Sequence, residues 1–249
     1  MLWYTDTNND GLYEVYMRSD SGKIEANTNG QGMFAYLTNV EVLDLTNLDT
    51  SNITNMSSMF QGSSSLKEIK LSNFDTSKVT SMQNMFRDCS SLINLDISSF
   101  DTSKVTDMSS LFYNCSNLKV INVDSFDTSK VTNMYQMFRG CSSLENINVN
   151  SFDITKVSNI SEMFMSCTKI SNLDLSNFNT SNVTNISGMF NHCINLTLID
   201  FRNADFSGVT SYTNMFNTVP INATIYVKDS TQKAWIEEKF TTLTNVVIP

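Results

Sequence analysis

The chain has 249 residues and is acidic, with 25 Asp and Glu residues against 16 Lys and Arg residues and a net charge of −9. An acidic chain repels phosphate groups, so binding to nucleic acid is not predicted. No apolar stretch approaches the roughly 20 residues that a membrane-spanning helix needs, so membrane insertion is not predicted either. The start, MLWYTDTNNDG, lacks a basic segment followed by an apolar run and is not predicted to be a signal peptide.

Residues 1–39 are predicted to form an N-terminal cap that consists of a β-hairpin and a degenerate half-repeat. LWYT and LYEVYM flank the turn sequence DTNNDG, and a second turn is expected at Ser21 and Gly22. Met33 and Phe34 already match columns of the repeat that follows. The cap therefore leads directly into the repeat.

The DTNNDG turn also matches the first half of a calcium-binding loop. The candidate ligands are Asp6, Asn8, Asp10 and Glu14. The twelfth position of such a loop normally carries a bidentate Glu, but here it is Met17. A plain hairpin turn needs the same residue types, so both interpretations remain open. No metal site is predicted elsewhere, because no Cys-x-x-Cys or His-x-x-x-His spacing occurs.

Residues 40–221 contain seven units of 26 residues without insertion or deletion. One column is always Phe, and another contains every cysteine of the chain. The Phe column, which begins in the cap, is Phe34, Phe60, Phe86, Phe112, Phe138, Phe164, Phe190 and Phe216, and the Cys column is Cys89, Cys115, Cys141, Cys167 and Cys193. A fixed period of this length is typical of a solenoid, in which stacking buries the apolar face of each unit.

Each unit is predicted to contain one short helix and one short strand. Val79, Met82, Met85, Phe86 and Cys89 recur at steps of three and four, which predicts a helix from near Thr80 to near Cys89. The pattern L-x-x-L-x-L, as in LINLDI, predicts a strand. Strands pair about 4.8 Å apart and helices about 8–10 Å apart, so the strand face should be concave. The predicted fold is an α/β, right-handed, leucine-rich-repeat-like solenoid with parallel strands on the concave face and helices on the convex face.

Residues 222–249 are predicted to form a C-terminal strand–helix–strand cap. TIYV and VVI are the candidate strands, and Asp229 can cap a helix that ends near Phe240. Trp235, Ile236 and Phe240 would cover the open end of the core. Such atypical ends are expected in solenoids, because a terminal unit has only one neighbour.

The motif LDLSNFDTSNVTNISGMFNHC, at residues 173–193, has near copies throughout the chain. With these columns the chain resembles the BspA-like leucine-rich-repeat family of bacterial surface proteins. The resemblance covers roughly residues 33–219. It implies a protein at the cell surface or secreted, with adhesion to host proteins or other cells in some members.

The cysteines and the single histidine are the only candidates for catalysis. Neighbouring cysteines on packed helices would be about 8–10 Å apart, beyond the roughly 7 Å limit for a disulfide, so they are expected to be buried free thiols. His192 precedes Cys193, but sequence neighbours on a helix point in different directions. A cysteine hydrolase that uses His192 and Cys193 is a third hypothesis, after the two given below; no catalytic residue and no cofactor are predicted.

A column of Asp residues precedes each predicted helix. Its members are Asp49, Asp75, Asp101, Asp127, Asp153 and Asp205, with Asn179 in the remaining unit. They could form a ladder of cation sites, or each could accept backbone N–H groups in an Asx turn. The Asx turn is the favoured interpretation, because Asn179 serves it equally well.

The exposed positions of the strand face are the predicted binding site. The candidate residues are Asn94, Asp96, Asn122, Asn146, Asn148, Asn172, Asp174 and Asp200. This face is polar and has few of the aromatic and Arg residues that dominate protein interfaces. The resemblance favours a monomeric, non-catalytic interaction module that binds a protein or glycan on another cell or matrix. The alternative hypothesis is a structural spacer that presents another domain.

Overall fold

The structure is a computed structural model that describes residues 2–6, 10–17 and 22–249. Ser21 and residues 7–9, on which parts of the two predicted N-terminal turns fall, lie outside the described residues. The elements are β1 (Leu2–Thr5), β2 (Tyr13–Met17), β3 (Ile24–Glu25), β4 (Val40–Asp44), β5 (Leu48–Asp49), β6 (Glu68–Lys70), β7 (Asn172–Asp174), β8 (Leu198–Phe201), β9 (Thr224–Val227), α1 (Ser230–Lys239) and β10 (Asn245–Val247).

The strands form two four-stranded sheets and one small pair. The first sheet has the order β1-β2-β4-β6, in which β1 and β2 are antiparallel and the other pairs are parallel. The second has the order β10-β9-β8-β7 and is entirely parallel. The third consists of β3 and β5. The parallel pairs β4–β6, β7–β8 and β8–β9 join residues 26 positions apart, so the chain forms a solenoid with the predicted period.

The predicted helices of the convex face are wrong. Of the residues that the structure describes, only Ser230–Lys239 form an α-helix, and the stretch from Thr80 to Cys89 is a run of turns. We call residues 82–89, and their equivalents at steps of 26 residues, the turn segments.

Alternate N–H groups of each turn segment bond to the next unit. In the copy at residues 82–89, the N–H groups of Met82, Asn84, Phe86 and Asp88 donate to the carbonyl oxygens of Asp107, Ser109, Leu111 and Tyr113 at 3.1, 3.0, 3.0 and 2.7 Å. The intervening N–H groups donate within the segment to residues three positions back, as from Met85 to Met82 at 3.1 Å. Neighbouring turn segments are therefore spaced like paired strands, about 4.8 Å apart, rather than like packed helices.

Two left-handed residues in each turn segment explain why no helix forms. Asn84 and Asp88 have φ of 56° and 58°, whereas an α-helix needs φ near −63° throughout. The same two columns hold the left-handed residues Gly32, Ser58, Ser110, Gln136, Glu162, Gly188 and Asn214, and Tyr36, Gly62, Asn114, Gly140, Ser166, His192 and Thr218. This conformation costs most residues about 1–2 kcal/mol but suits Gly and, less well, Asn and Asp.

The Phe column forms one continuous stack, as predicted. From Phe34 to Phe216, the centres of neighbouring rings are 5.4–6.1 Å apart and the ring planes differ by 4–20°. The rings from Phe60 to Phe190 are completely buried. Burial of each such side chain contributes roughly 1.5–3 kcal/mol. This close spacing also removes the reason for expecting a concave strand face, because that expectation depended on the wider spacing of helices.

The cysteines are buried free thiols, as predicted, but not for the reason given by helix spacing. All are free and have no exposed surface. Each Sγ donates to a Phe carbonyl oxygen of the preceding unit, as from Cys141 to Phe112 at 3.1 Å. Burial raises the pKa of the Cys141 thiol to about 12. The thiols therefore act as core side chains that also satisfy main-chain acceptors.

The Asp column forms the Asx turns that the sequence favoured. Asp75 Oδ1 accepts the N–H of Ser77 at 2.9 Å, and Asn179 Oδ1 accepts the N–H of Ser181 at 3.1 Å. Hydrogen bonds from the side chain and backbone of Ser77 lower the pKa of the Asp75 carboxyl. The residue just before each turn segment can form the same kind of Asx turn: Asp107 Oδ1 accepts the N–H of Ser109 at 2.8 Å. These side chains satisfy N–H groups where the chain changes direction.

Helix α1 covers the C-terminal end of the core. Asp229 Oδ1 accepts the N–H groups of Thr231 and Gln232 at 2.9 and 3.0 Å, which caps the helix start. Trp235 stacks on Phe206 with ring centres 5.0 Å apart, and Phe240 meets Phe216 edge-on at 4.9 Å. The end of the Phe stack is thus covered by aromatic rings instead of another unit.

The left-handed residues predict an unusual order of substitution effects. At Asn84, the Gly variant should be more stable than the Ala variant by about 1–2 kcal/mol, because Ala is strained at positive φ. At the exposed Glu237 of α1, Ala should instead be more stable than Gly by up to about 1 kcal/mol. Urea unfolding of the four variants measures both differences. A preference for Ala at both positions would contradict the left-handed conformation of the turn segment.

The buried thiols predict that stability falls at high pH. Folded Cys141 stays neutral up to a pKa of about 12, whereas in the unfolded chain this thiol ionises near about 8.5. The unfolded state loses protons first, so the free energy of unfolding decreases as pH rises through this window. Replacing Cys141 by Ala should flatten the decrease by up to about 1.4 kcal/mol per pH unit. Urea unfolding from about pH 8 to about pH 11 tests this; parallel curves for the variant and wild type would rule it out.

Candidate functional site

The strand face is paired at both ends of the solenoid but not in its middle. β4 pairs with β6, and β7 pairs with β8, in regular parallel register. Between Lys70 and Asn172, all of which is described, the residues form no strand. On the strand face of this range, at residues 92–97, 118–123 and 144–149, backbone pairing between units is limited to the bridge between Val120 and Asn146 and a hydrogen bond from Glu145 N to Lys119 O of 3.2 Å. We call residues 92–97, 118–123 and 144–149 the open segments.

Two shallow grooves lie along the open segments. The first has a volume of about 290 Å³ and is lined by β6 together with Asn94 and Asp96. The second, also about 290 Å³, is lined by Val120, Asn122, Asp124, Asn146, Ile147 and Asn148. Each groove therefore lies where neighbouring units of the strand face are not joined by a regular ladder of backbone hydrogen bonds.

The predicted binding residues divide between these grooves and the paired strands. Asn94 and Asp96 line the first groove, and Asn122, Asn146 and Asn148 line the second. Asn172 and Asp174 are exposed on β7, whose strand is paired with β8.

The predicted exposure of Asp200 is wrong, because only 7% of the residue is exposed. The Arg202 guanidinium folds over its carboxylate, with Nη2 2.6 Å from Oδ2. Asp200 Oδ1 also accepts the Arg202 N–H at 3.1 Å. Its carboxylate is therefore occupied by its own chain.

Most residues of the exposed column that contains Asp96 also have a structural role. The side-chain Oδ1 of each accepts the N–H group two residues on, at 2.9–3.1 Å. The residues are Asp44, Asp96, Asn122, Asn148, Asp174 and Asp200. Hydrogen bonds from Ser98 and Ser176 lower the pKa values of Asp96 and Asp174. The Asp96 and Asp174 carboxylates therefore remain ionised acceptors. In the Asp residues of this column the second carboxylate oxygen, and in the Asn residues the amide nitrogen, is the group that can reach a partner.

Side-chain hydrogen bonds also run between units on this face. Asn148 Nδ2 donates to Asp124 Oδ1 at 2.8 Å, and Lys70 Nζ donates to Asp44 Oδ2 at 3.1 Å. The bond to Asp44, with the accompanying charge, raises the pKa of Lys70. The rim of the grooves is thus an acidic, amide-rich surface in which some side chains of neighbouring units are hydrogen bonded to each other.

Sequence reasoning missed the apolar residues of this face. Val120 is 60% exposed and belongs to the second groove, and Ile93 is 44% exposed. The equivalents of Val120 in other units include Glu68, Asn94 and Asn146. The signal that could have identified Val120 is that it is the one apolar residue of this column between Glu68 and Asn172.

A row of Arg and Tyr residues on the turn segments was also missed. The guanidinium carbon of Arg87 lies 4.2 Å from the centre of the Tyr113 ring, and that of Arg139 lies 5.4 Å from it. Arg139 pairs with the Glu162 carboxylate, and Arg87 Nε lies 3.2 Å from Asp88 Oδ2. Both cations are already paired, so the row has no uncompensated charge to offer an anion.

The described calcium candidates, Asp6, Asp10 and Glu14, do not form a group that could hold a metal ion. The Asp6 carboxylate accepts the N–H groups of Asp10 and Gly11 at 3.2 and 3.1 Å. Glu14 Oε2 accepts the hydroxyls of Thr5 and Tyr16 at 3.3 and 2.9 Å. Asn8 lies outside the described residues. Within the described part of the chain, no three His, Cys, Asp or Glu side chains could hold a metal ion together.

His192 and Cys193 do not form a nucleophile–base pair. His192 is exposed with φ of 63°, whereas Cys193 is completely buried. The Cys193 thiol donates to Phe164 O at 3.0 Å, and burial raises its pKa to about 12. A cysteine nucleophile needs an accessible thiolate, which this geometry disfavours.

The described residues contain no α-helix that is long and apolar enough to cross a bilayer.

The chain shows distant likeness to three solved structures. A leucine-rich repeat protein from Bacteroides ovatus ATCC 8483 is 14% identical, with 99% of this chain and 80% of that chain covered and a TM-score of 0.31. The pneumococcal vaccine antigen PcpA is 13% identical, with 92% and 71% covered and a TM-score of 0.31. The T. pallidum leucine-rich repeat protein is 13% identical, with 95% and 92% covered and a TM-score of 0.28.

No curated protein matches the chain significantly. The family model described as "Mycoplasma protein of unknown function, DUF285" matches residues 28–122 and 110–227, which together exceed half of the chain. These ranges contain the turn segments, the Phe stack and the open segments. The chain therefore belongs to the DUF285 family.

Proposed function

We propose that this repeat protein is a non-catalytic interaction module that binds a protein or glycan partner through the open segments of the strand face. The observation that supports this most directly is the interrupted pairing between β6 and β7, in a solenoid whose turn segments are hydrogen bonded from end to end. Main-chain N–H and C=O groups that are not used within the chain are available to a partner.

The chemistry of the second groove suits such a partner. Val120 supplies an exposed apolar contact, and Asn122, Asn146 and Asn148 surround it with amide groups. Amides both donate and accept hydrogen bonds, so they can bind peptide groups or sugar hydroxyls. The rim carboxylates, including Asp124, would disfavour strongly acidic partners.

We further propose that the module acts as a monomer at a bacterial cell surface or after secretion, in adhesion. The BspA-like resemblance of the repeat motif supports this proposal. We also propose that the chain consists of an N-terminal cap at residues 1–39, seven repeats at residues 40–221 and a C-terminal cap at residues 222–249.

Replacing Val120 by Asn should weaken adhesion. Asn already occupies the equivalent position at Asn94, Asn146 and Asn172, so the substitution should leave stability within about 0.5 kcal/mol. Loss of one buried Val contact should weaken binding roughly tenfold. The measurement is attachment of bacterial or host cells to surfaces coated with the purified chain.

The matched control is Ile194 to Asn, which removes another exposed β-branched residue outside the grooves, 53% exposed. Adhesion by this variant should equal that of the wild type. If both variants attach equally well, or both lose attachment to the same degree, the open segments are not the binding site.

A structural spacer is the second candidate function, and the Asx role of the exposed column supports it. Side chains such as Asp96 and Asn122 already cap the backbone, so their polarity needs no ligand to explain it. Replacing residues 118–143 by the sequence of 170–195 keeps the period and the core columns but removes Val120. If the repeats are a spacer, the activity of the protein that carries them should be unchanged after this exchange, whereas an interaction module should lose adhesion.

A further inference from the structure

The turn segments give the solenoid a direction. In the last complete pairing, the N–H groups of Ile186, Gly188, Phe190 and His192 donate to the carbonyl oxygens of Ser211, Thr213, Met215 and Asn217 at 2.8–3.0 Å. The same direction holds in every earlier unit. Each turn segment therefore presents a row of N–H donors toward the C-terminal end of the stack.

The last turn segment has no following segment to accept from its donors. The equivalent donors are the N–H groups of Tyr212, Asn214, Phe216 and Thr218. All four residues are described, and none of these N–H groups has a hydrogen-bond acceptor among the residues that the structure describes. By the repeat register, the partners of Asn214 and Phe216 would be Lys239 and Thr241, where α1 ends instead.

A cavity of about 280 Å³ occupies the place of the missing segment. The final turn segment lines one side of it, with Tyr212, Asn214 and Phe216. The other side is lined by Lys239, Phe240, Thr241 and Thr242. We call this the terminal cavity.

The terminal cavity combines groups that bind a carboxylate. Asn214 and Thr218 are left-handed, with φ of 58° and 66°, as at the equivalent positions of the earlier turn segments, where alternate N–H groups point out of the segment. A row of outward backbone N–H groups is a favourable setting for an anion. Lys239 adds an ammonium group, which also offsets the partial negative charge at the C-terminal end of α1. Lys239 is ion-paired with Glu238, but the Glu238 side chain is 70% exposed, so that pair is easily exchanged.

The walls of the terminal cavity add an apolar contact. The Tyr212 and Phe240 rings meet edge-on with centres 6.0 Å apart, and both line the cavity. The volume is close to the lower limit of about 300 Å³ for small-ligand sites, so it has room for a terminal residue but not for a long segment.

We propose that the terminal cavity binds the C-terminal carboxylate of a peptide whose last side chain is apolar. The carboxylate oxygens accept the N–H groups of Asn214 and Phe216 and face Lys239, while the apolar side chain contacts the Tyr212 and Phe240 rings. Capture of a terminal carboxylate by a row of backbone donors is an established mode of peptide recognition. This site is separate from the strand face and does not depend on its function.

An NMR titration of the ¹⁵N-labelled chain tests the proposal with N-acetyl-Val-Leu as the free acid and as its C-terminal amide. The acid should shift the amide signals of Asn214 and Phe216, and the amide form should bind at least tenfold more weakly, because it lacks the charge. The amide signals of Phe190 and His192, whose N–H groups are already bonded within the stack, should not move.

The Lys239 to Met variant should bind the acid roughly tenfold more weakly than the wild type. Lys233 to Met is the matched control, since Lys233 lies on the same helix, faces Glu237 at 3.7 Å and does not line the cavity. This control should bind like the wild type. Equal binding of the acid and the amide form, no shift at Asn214 and Phe216, or equal effects of the two Lys substitutions would each overturn the proposal.

Discussion

Direct hydrogen bonding between turn segments is the constraint on which the rest of this structure depends. It holds neighbouring units at the spacing of paired strands, which brings the Phe rings to 5.4–6.1 Å and the cysteine thiols onto carbonyl groups of the preceding unit. It is possible only because two residues in each segment adopt the left-handed conformation and turn alternate N–H groups outward. Helices at the same positions would keep those N–H groups for themselves and would move the units apart.

The same constraint identifies where the chain can bind something. Within the stack, the outward N–H groups of one turn segment donate to the carbonyl groups of the next, so these backbone groups need no other partner. Among the described residues, backbone groups lack regular partners at the open segments of the strand face and backbone donors lack them at the last turn segment. Both places carry grooves or cavities, at Val120 and at Asn214. Both proposed sites therefore rest on the same physical argument, which is that backbone polar groups require partners.

The sequence predicted the architecture well and the local conformation poorly. The period, the Phe stack, the buried thiols and the Asx turns could be predicted because each depends on a column of similar residues. Apolar columns are buried by stacking, and a column of Asp and Asn before a turn caps backbone N–H groups. The helix prediction failed because Val79, Met82, Met85, Phe86 and Cys89 point inward equally well from a helix or from turns hydrogen bonded to their neighbours. Gly, Asn and Asp fill half of the left-handed positions, as at Gly140 and Asn84, and were a partial signal against a helix. Gln136 and Glu162, which favour helices, occupy the same column and gave no such signal. For the candidate site, a polar column indicated an exposed face. The column could not show that Asp200 is covered by Arg202, because this depends on the conformation of the Arg202 side chain. The interruption of pairing could not be seen either, because the strand motifs of paired and unpaired units are alike.

The most direct test of this account is the scalar coupling across backbone hydrogen bonds, measured by NMR on deuterated protein. The N–H of Phe112 donates to the carbonyl of Met137 at 2.9 Å, one unit away. A coupling is therefore expected between the Phe112 nitrogen and the Met137 carbonyl carbon, with equivalent couplings from Phe86 to Leu111 and from Phe138 to Met163. A coupling from Phe112 to Met108, four residues back as in an α-helix, would contradict it.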